Sequence, residues 1–65
     1  MRMWFCDVGE AGEAVDALGE YGFTAQQEGA SLTTEAPVLL ATPVIVRRIG
    51  LGSIERVDLA PGPQG

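Results

Sequence analysis

The feature that most constrains this chain is an uncharged run, Val38-Leu39-Leu40-Ala41-Thr42-Pro43-Val44-Ile45-Val46, interrupted near its middle by a proline. A run so apolar has to be buried, and 65 residues leave room for one domain with one small core. Its β-branched residues suit a buried strand, so the run predicts the central strand of a sheet. Pro43 cannot donate to a sheet ladder, so that strand has to be bulged, broken into two short strands, or placed at an edge there.

Upstream, Arg2-Met3-Trp4-Phe5-Cys6 is a short bulky run rich in strand-favouring aromatics and predicts a first strand. Asp7, with Glu10 three positions later, is a helix N-cap with a carboxylate partner, placing a helix start near Val8 or Gly9. Ala11, Ala14, Val15, Leu18 and Tyr21 then recur at spacings of three and four, which puts them on one helical face. Gly22 is placed to end that helix in a left-handed conformation. Gly12 and Gly19 each cost the helix about 1 kcal/mol relative to alanine, so packing has to hold it.

The charged face of this helix carries Glu10, Glu13, Asp16 and Glu20 and no base. The helix dipole favours negative charge near the N-terminus by about 0.3–1 kcal/mol, which accounts for Glu10 and Glu13 but leaves Asp16 and Glu20 unexplained.

Beyond the helix, two short runs flank Glu28-Gly29, where Gly29 can take the positive φ of a tight hairpin turn. Gly50-Leu51-Gly52 marks a second turn, and it lacks the third glycine and the lysine of a nucleotide-binding fingerprint. Ser53 to Leu59 reads as a last strand, although Ile54 and Val57, three apart, also permit a helical turn. The tail, Pro61 to Gly65, has nothing to bury and is expected to be disordered. The expected organisation is therefore one domain over residues 1–60 and a Pro/Gly tail over 61–65.

The net charge of −5, from nine carboxylates against four arginines, works against binding a phosphate backbone, and nucleic acid is not expected as a ligand. One cysteine and no histidine cannot build an intramolecular disulfide, a transition-metal site of the familiar kinds or a cysteine–histidine catalytic pair. Asp7, Glu10, Glu13 and Asp16 repeat every three residues around a turning helix and cannot converge on one calcium ion. A chain of this size also leaves little room for both a core and a catalytic cleft. The reading is a protein that is not an enzyme and needs no cofactor. The apolar run before Asp7 is too short for a signal-peptide core or for the ~20 residues of a membrane span, so a cytoplasmic location without membrane contact is expected.

Two groups remain as candidate sites. Cys6 sits at the junction of a strand and a helix N-terminus, where the dipole would lower a thiol pKa and make a reactive thiol; as a buried small hydrophobe it would be inert. The acids Glu13, Asp16 and Glu20 and the basic pair Arg47-Arg48 form the candidate interaction surface. With 47 and 48 on an alternating strand, one arginine points to each face, and the exposed one can pair with the helix acids or with a second copy.

The stretch Leu39 to Arg48, with its threonine–proline pair, resembles thioredoxin-like proteins, especially the circadian-clock KaiB family. That resemblance implies a strand led in by Thr42-Pro43, a cis peptide bond before Pro43, and a thioredoxin-like interaction domain without redox chemistry.

Together these readings predict a small α+β domain: strand, helix, then three or four strands (βαβββ-like), with a mainly antiparallel sheet and the helix on one face. One helix covers one face at most, so Trp4, Phe5, Phe23 or the 38–46 run would leave apolar surface on the other. A homodimer or a partner protein, with basic character if it meets the acidic helix, is the expected cover. The function expected is that of a small acidic intracellular interaction module, an accessory or inhibitory protein. The alternatives are the thioredoxin-like domain and a ligand or redox sensor centred on Cys6.

Overall fold

The structure, a computed structural model, describes residues 1–59. The tail expected to be disordered lies outside the described residues. Strand β1 (Arg2–Phe5) leads into helix α1 (Val8–Glu20), then strands β2 (Ala25–Glu28) and β3 (Ser31–Thr34), helix α2 (Val38–Ile49), a single 3-10 turn (Leu51–Ser53) and strand β4 (Ile54–Asp58). The sheet order is β2-β3-β1-β4 and each neighbouring pair is antiparallel. β1 and β2 therefore run parallel with β3 between them, and β3 and β4 run parallel with β1 between them. This interleaving of two strand–helix–strand crossovers is the connectivity of a ferredoxin-like split βαβ unit.

Local signals govern α1 at both ends. Asp7 is extended (φ −153°, ψ 173°) and its Oδ1 accepts a 2.9 Å hydrogen bond from the Glu10 amide, which satisfies one of the orphan donors of the first turn. At the other end Gly22 takes φ +88°, while the Phe23 amide donates to the Leu18 carbonyl at 2.9 Å and the Gly22 amide to the Gly19 carbonyl at 3.0 Å. These are the two bonds of a Schellman cap, and Phe23 then packs against the buried cluster that contains Leu18. Ala11, Ala14 and Leu18 are buried as the spacing requires, Ala17 joins them, and Val15 is half-buried. Tyr21, expected on that face, is 57% exposed because the helix ends before it.

The run from Val38 is a helix and not the central strand, so the order is βαββαβ and not βαβββ. Two physical reasons favour this outcome. Ala41, Ile45 and Ile49 are four apart, and all three turn toward the core, with Ala41 and Ile45 fully buried. Pro43 removes one intrahelical donor, the one that would reach the Leu39 carbonyl, and both residues are exposed, so water can take the place of the missing donor. In a strand paired on both sides the same loss would be internal. No peptide bond among the described residues is cis, so neither the strand nor the cis proline implied by the thioredoxin-like resemblance is present.

The hairpin between β2 and β3 closes through Gly29 and Ala30, with Glu28 opposite Ser31. Gly29 has φ +60° and Ala30 a negative φ, the pattern of a type II′ turn. Of the two readings for 53–59, Ser53 belongs to the 3-10 turn and Ile54–Asp58 to a strand.

One buried cluster joins Met3 and Phe5 of β1, Leu32 of β3, Ala11, Ala14 and Leu18 of α1, and Ala41 and Ile45 of α2. The register carries Met3, Leu32 and Val57 on the face turned to this cluster, and Arg2, Trp4, Ser31, Thr33, Arg56 and Asp58 on the face turned away. The second face is therefore not the apolar surface expected for it. Phe5 is buried in the core, Phe23 packs at its edge, and among the large apolar side chains of the described residues only Trp4 lies on the outward face.

Gly19 lies exposed in the last turn of α1, and a Cβ added there would meet nothing within 4 Å, so Gly19→Ala is expected to raise stability by about 0.5–1 kcal/mol. Gly50 has φ 90° and ψ 152°, a region open essentially to glycine alone, so Gly50→Ala is expected to lower it by about 1–3 kcal/mol. Urea unfolding of both variants checks the pair, and equal effects of one sign would contradict the geometry.

Candidate functional site

The base missing from α1 comes from α2. Arg48 Nη1 lies 3.1 Å from Glu13 Oε1 and Arg48 Nη2 lies 2.7 Å from Glu20 Oε2, so one guanidinium bridges two carboxylates seven residues apart on α1. Arg48 sits in the last turn of α2, where the dipole also favours a cation. Its hydrogen bond to Glu20, followed by the charges of Glu20 and Glu13, raises its pKa further above the ordinary arginine value. It stays charged at any pH near neutrality.

Arg48, Arg47 and Glu20 then line a shallow groove of about 190 Å³ between the helices, floored by Ala17 and Val44 and rimmed by Tyr21. Arg47 is exposed, Asp16 is exposed on the outer side of α1, and neither makes an ion pair among the described residues. Of the five residues named for an interaction surface, the structure thus joins Glu13, Glu20 and Arg48 in one network, sets Arg47 at its edge, and leaves Asp16 apart. Leu39 and Leu40, in the first turn of α2, are 83% and 54% exposed.

At the other end of α1, Cys6 is exposed, which corrects the reading of a buried small hydrophobe. Its Sγ lies 3.7 Å from the Gly52 carbonyl, and its amide donates to the Ser53 carbonyl at 3.1 Å. Neither is its pKa lowered by the helix terminus: the atoms packed around the sulfur strip part of its water and raise it, and the charges of Glu55, Glu10 and Asp7 add to the rise. Ser53 Oγ stands 2.8 Å from Glu10 Oε2 and 3.0 Å from the Ile49 carbonyl, tying the 3-10 turn to α1, while Glu10 Oε1 is buried without a partner among the described residues. The described residues contain no cluster of metal-ligating side chains.

A third group was not legible in the sequence. On the outward sheet face two guanidinium groups lie over the Trp4 ring, with the Cζ of Arg56 4.5 Å and that of Arg2 5.3 Å from the ring centroid. Arg2 also bonds Glu28 at 2.8 Å. Trp4 and Arg56 are 52 positions apart and meet only through the β1–β4 register, so the alternation of Arg2 and Trp4 was the sole local signal. The two guanidinium groups over the indole place charge beside the only large apolar side chain found on this face among the described residues.

Comparison with protein families, curated proteins and solved structures finds no match to this chain. No helix among the described residues is long and apolar enough to cross a membrane.

The Cys6 environment predicts that alkylation at neutral pH is slower than for the same thiol in the urea-unfolded chain, since the raised pKa leaves less thiolate in the fold. Glu55→Gln should quicken it. Pseudo-first-order alkylation rates across roughly pH 7–10 would show this, and a folded-state rate above the unfolded one would contradict it.

Proposed function

We propose that this protein is a non-catalytic intracellular interaction module, an accessory or inhibitory protein that docks a partner protein across the α1–α2 groove. The observation that carries the reading is the groove itself, in which the exposed Tyr21 side chain and the apolar Ala17 and Val44 meet the charged rim of Arg47, Arg48 and Glu20, while Leu40, one turn before Val44 on α2, is also exposed. Hot spots at interfaces are enriched in tyrosine and arginine set in apolar surroundings. Internal pairing of Arg48 with two glutamates fixes that rim before a partner arrives, so fewer side-chain rotamers have to be ordered on binding. The net charge of −5 steers a basic partner toward the protein and repels acidic ones. Asp16, outside the Arg48 network, is the acid on α1 placed to contribute to that steering.

The test is site-specific photo-crosslinking in cells from Leu40 and, as control, from Thr33 on the outward sheet face. The expected result is one defined adduct from position 40 that is absent from position 33 and is lost in a Tyr21→Ala, Arg47→Ala background. Asp16→Lys should weaken the same adduct. Equal adducts from both positions, or none from position 40, would remove the groove as the contact surface.

A further inference from the structure

β4 is an edge strand: it pairs with β1 and with no other strand among the described residues, and its five residues, Ile54-Glu55-Arg56-Val57-Asp58, contain no proline, glycine or lysine to block further pairing. We propose that this edge is an interface for a second copy of the chain, joined antiparallel about a two-fold axis through Val57. The inference concerns a surface separate from the helix groove and does not depend on it.

The reasoning rests on register and charge. Two copies of one strand related by a two-fold axis perpendicular to the sheet keep side chains on matching faces only when the axis passes through a residue. An axis through Glu55 or Asp58 sets an acid directly opposite its own copy, and one through Arg56 sets two guanidinium groups opposite each other, both destabilising. An axis through Ile54 runs the second copy onto the 3-10 turn and pairs almost none of the strand. The axis through Val57 is left, and it does more than avoid repulsion. It sets Val57 against Val57 of the second copy and Arg56 against Asp58 of the second copy, twice.

The register within the chain supplies the rest. Met3 opposite Val57 puts the valine pair on the face of the buried cluster, where Val57 is 36% exposed and Leu59 beside it 59%. Arg56 and Asp58 lie together on the outward face, and the Trp4 ring holds the Arg56 guanidinium there. A carboxylate offers several acceptor positions, so a new partner for Asp58 adds to the contact it makes within its own chain. The bulge at Glu55, which lies between the residues paired with Trp4 and Phe5, leaves Arg56 to Asp58 as the regular part of the strand. The result is a continuous eight-stranded sheet. An interface made by one short strand is small, so the dimer is expected to be concentration-dependent.

The experiment is light scattering after size exclusion on the full chain, loaded up to about 1 mM, for the wild type, Arg56→Asp and Asp58→Arg. The wild-type mass is expected to rise from 6.8 kDa toward twice that value with concentration. Each variant alone sets like charges opposite each other and is expected to stay at the monomer mass. Mixed one to one, the two variants again place acids opposite bases and are expected to recover the doubled mass, a rescue that a folding defect cannot produce. A wild type that stays monomeric, variants that dimerise as it does, or a mixture that fails to recover would each overturn the proposal. Hydrogen exchange of wild-type β4 amides at low and high concentration tests the interface without any variant: slowing in β4 supports it, and unchanged rates reject it.

Discussion

The structure depends on β1 being paired along both edges. Four residues hold the sheet together, with β3 on one side and β4 on the other, and their alternation does two jobs at once. Met3 and Phe5 enter the core, while Arg2 and Trp4 organise the opposite face. Each fully buried large side chain, such as Met3, Leu18, Leu32 and Ile45, contributes about 1.5–3 kcal/mol. With so few of them, losing the strand that presents Met3 and Phe5 would remove the floor against which both helices pack.

The alanines of α1 are the complement to that floor. Ala11, Ala14 and Ala17 let helix backbone come close to its neighbours, which suits a short chain that cannot fill a deep core with large side chains. The same closeness brings the last turn of α2 beside α1, within reach of Glu13 and Glu20. The four acids of α1 are then accounted for by three different means. Glu10 belongs to the N-terminal turn and bonds Ser53, Glu13 and Glu20 share Arg48, and Asp16 remains at the surface.

Charge at this protein's surface is thus arranged by tertiary contacts more than its composition suggests. Arg48 is engaged between the helices, and Arg2 and Arg56 are engaged on Trp4, which leaves Arg47 as the arginine without such a role among the described residues. A different property is set around Cys6: partial loss of water at the sulfur, with the charges of Glu55, Glu10 and Asp7 adding to it, makes an exposed thiol a weaker acid and so a poorer nucleophile at neutral pH.

What the sequence by itself determined is what short-range physics controls: the α+β class, β1, the capped helix from Val8, its Schellman end at Gly22, and the turn at Gly29. Each follows from a residue acting on its own backbone or on neighbours within one turn. The run from Val38 to Val46 shows where that information ends. Its apolar residues suit either a buried strand or a helix, and the choice fell to which shape buries Ala41 and Ile45 and leaves Pro43 at the surface. The Arg48 bridge and the arginine-flanked Trp4 were equally beyond local reading. The bridge spans 35 and 28 positions and the Trp4–Arg56 contact 52, and such pairs exist only once the chain has folded.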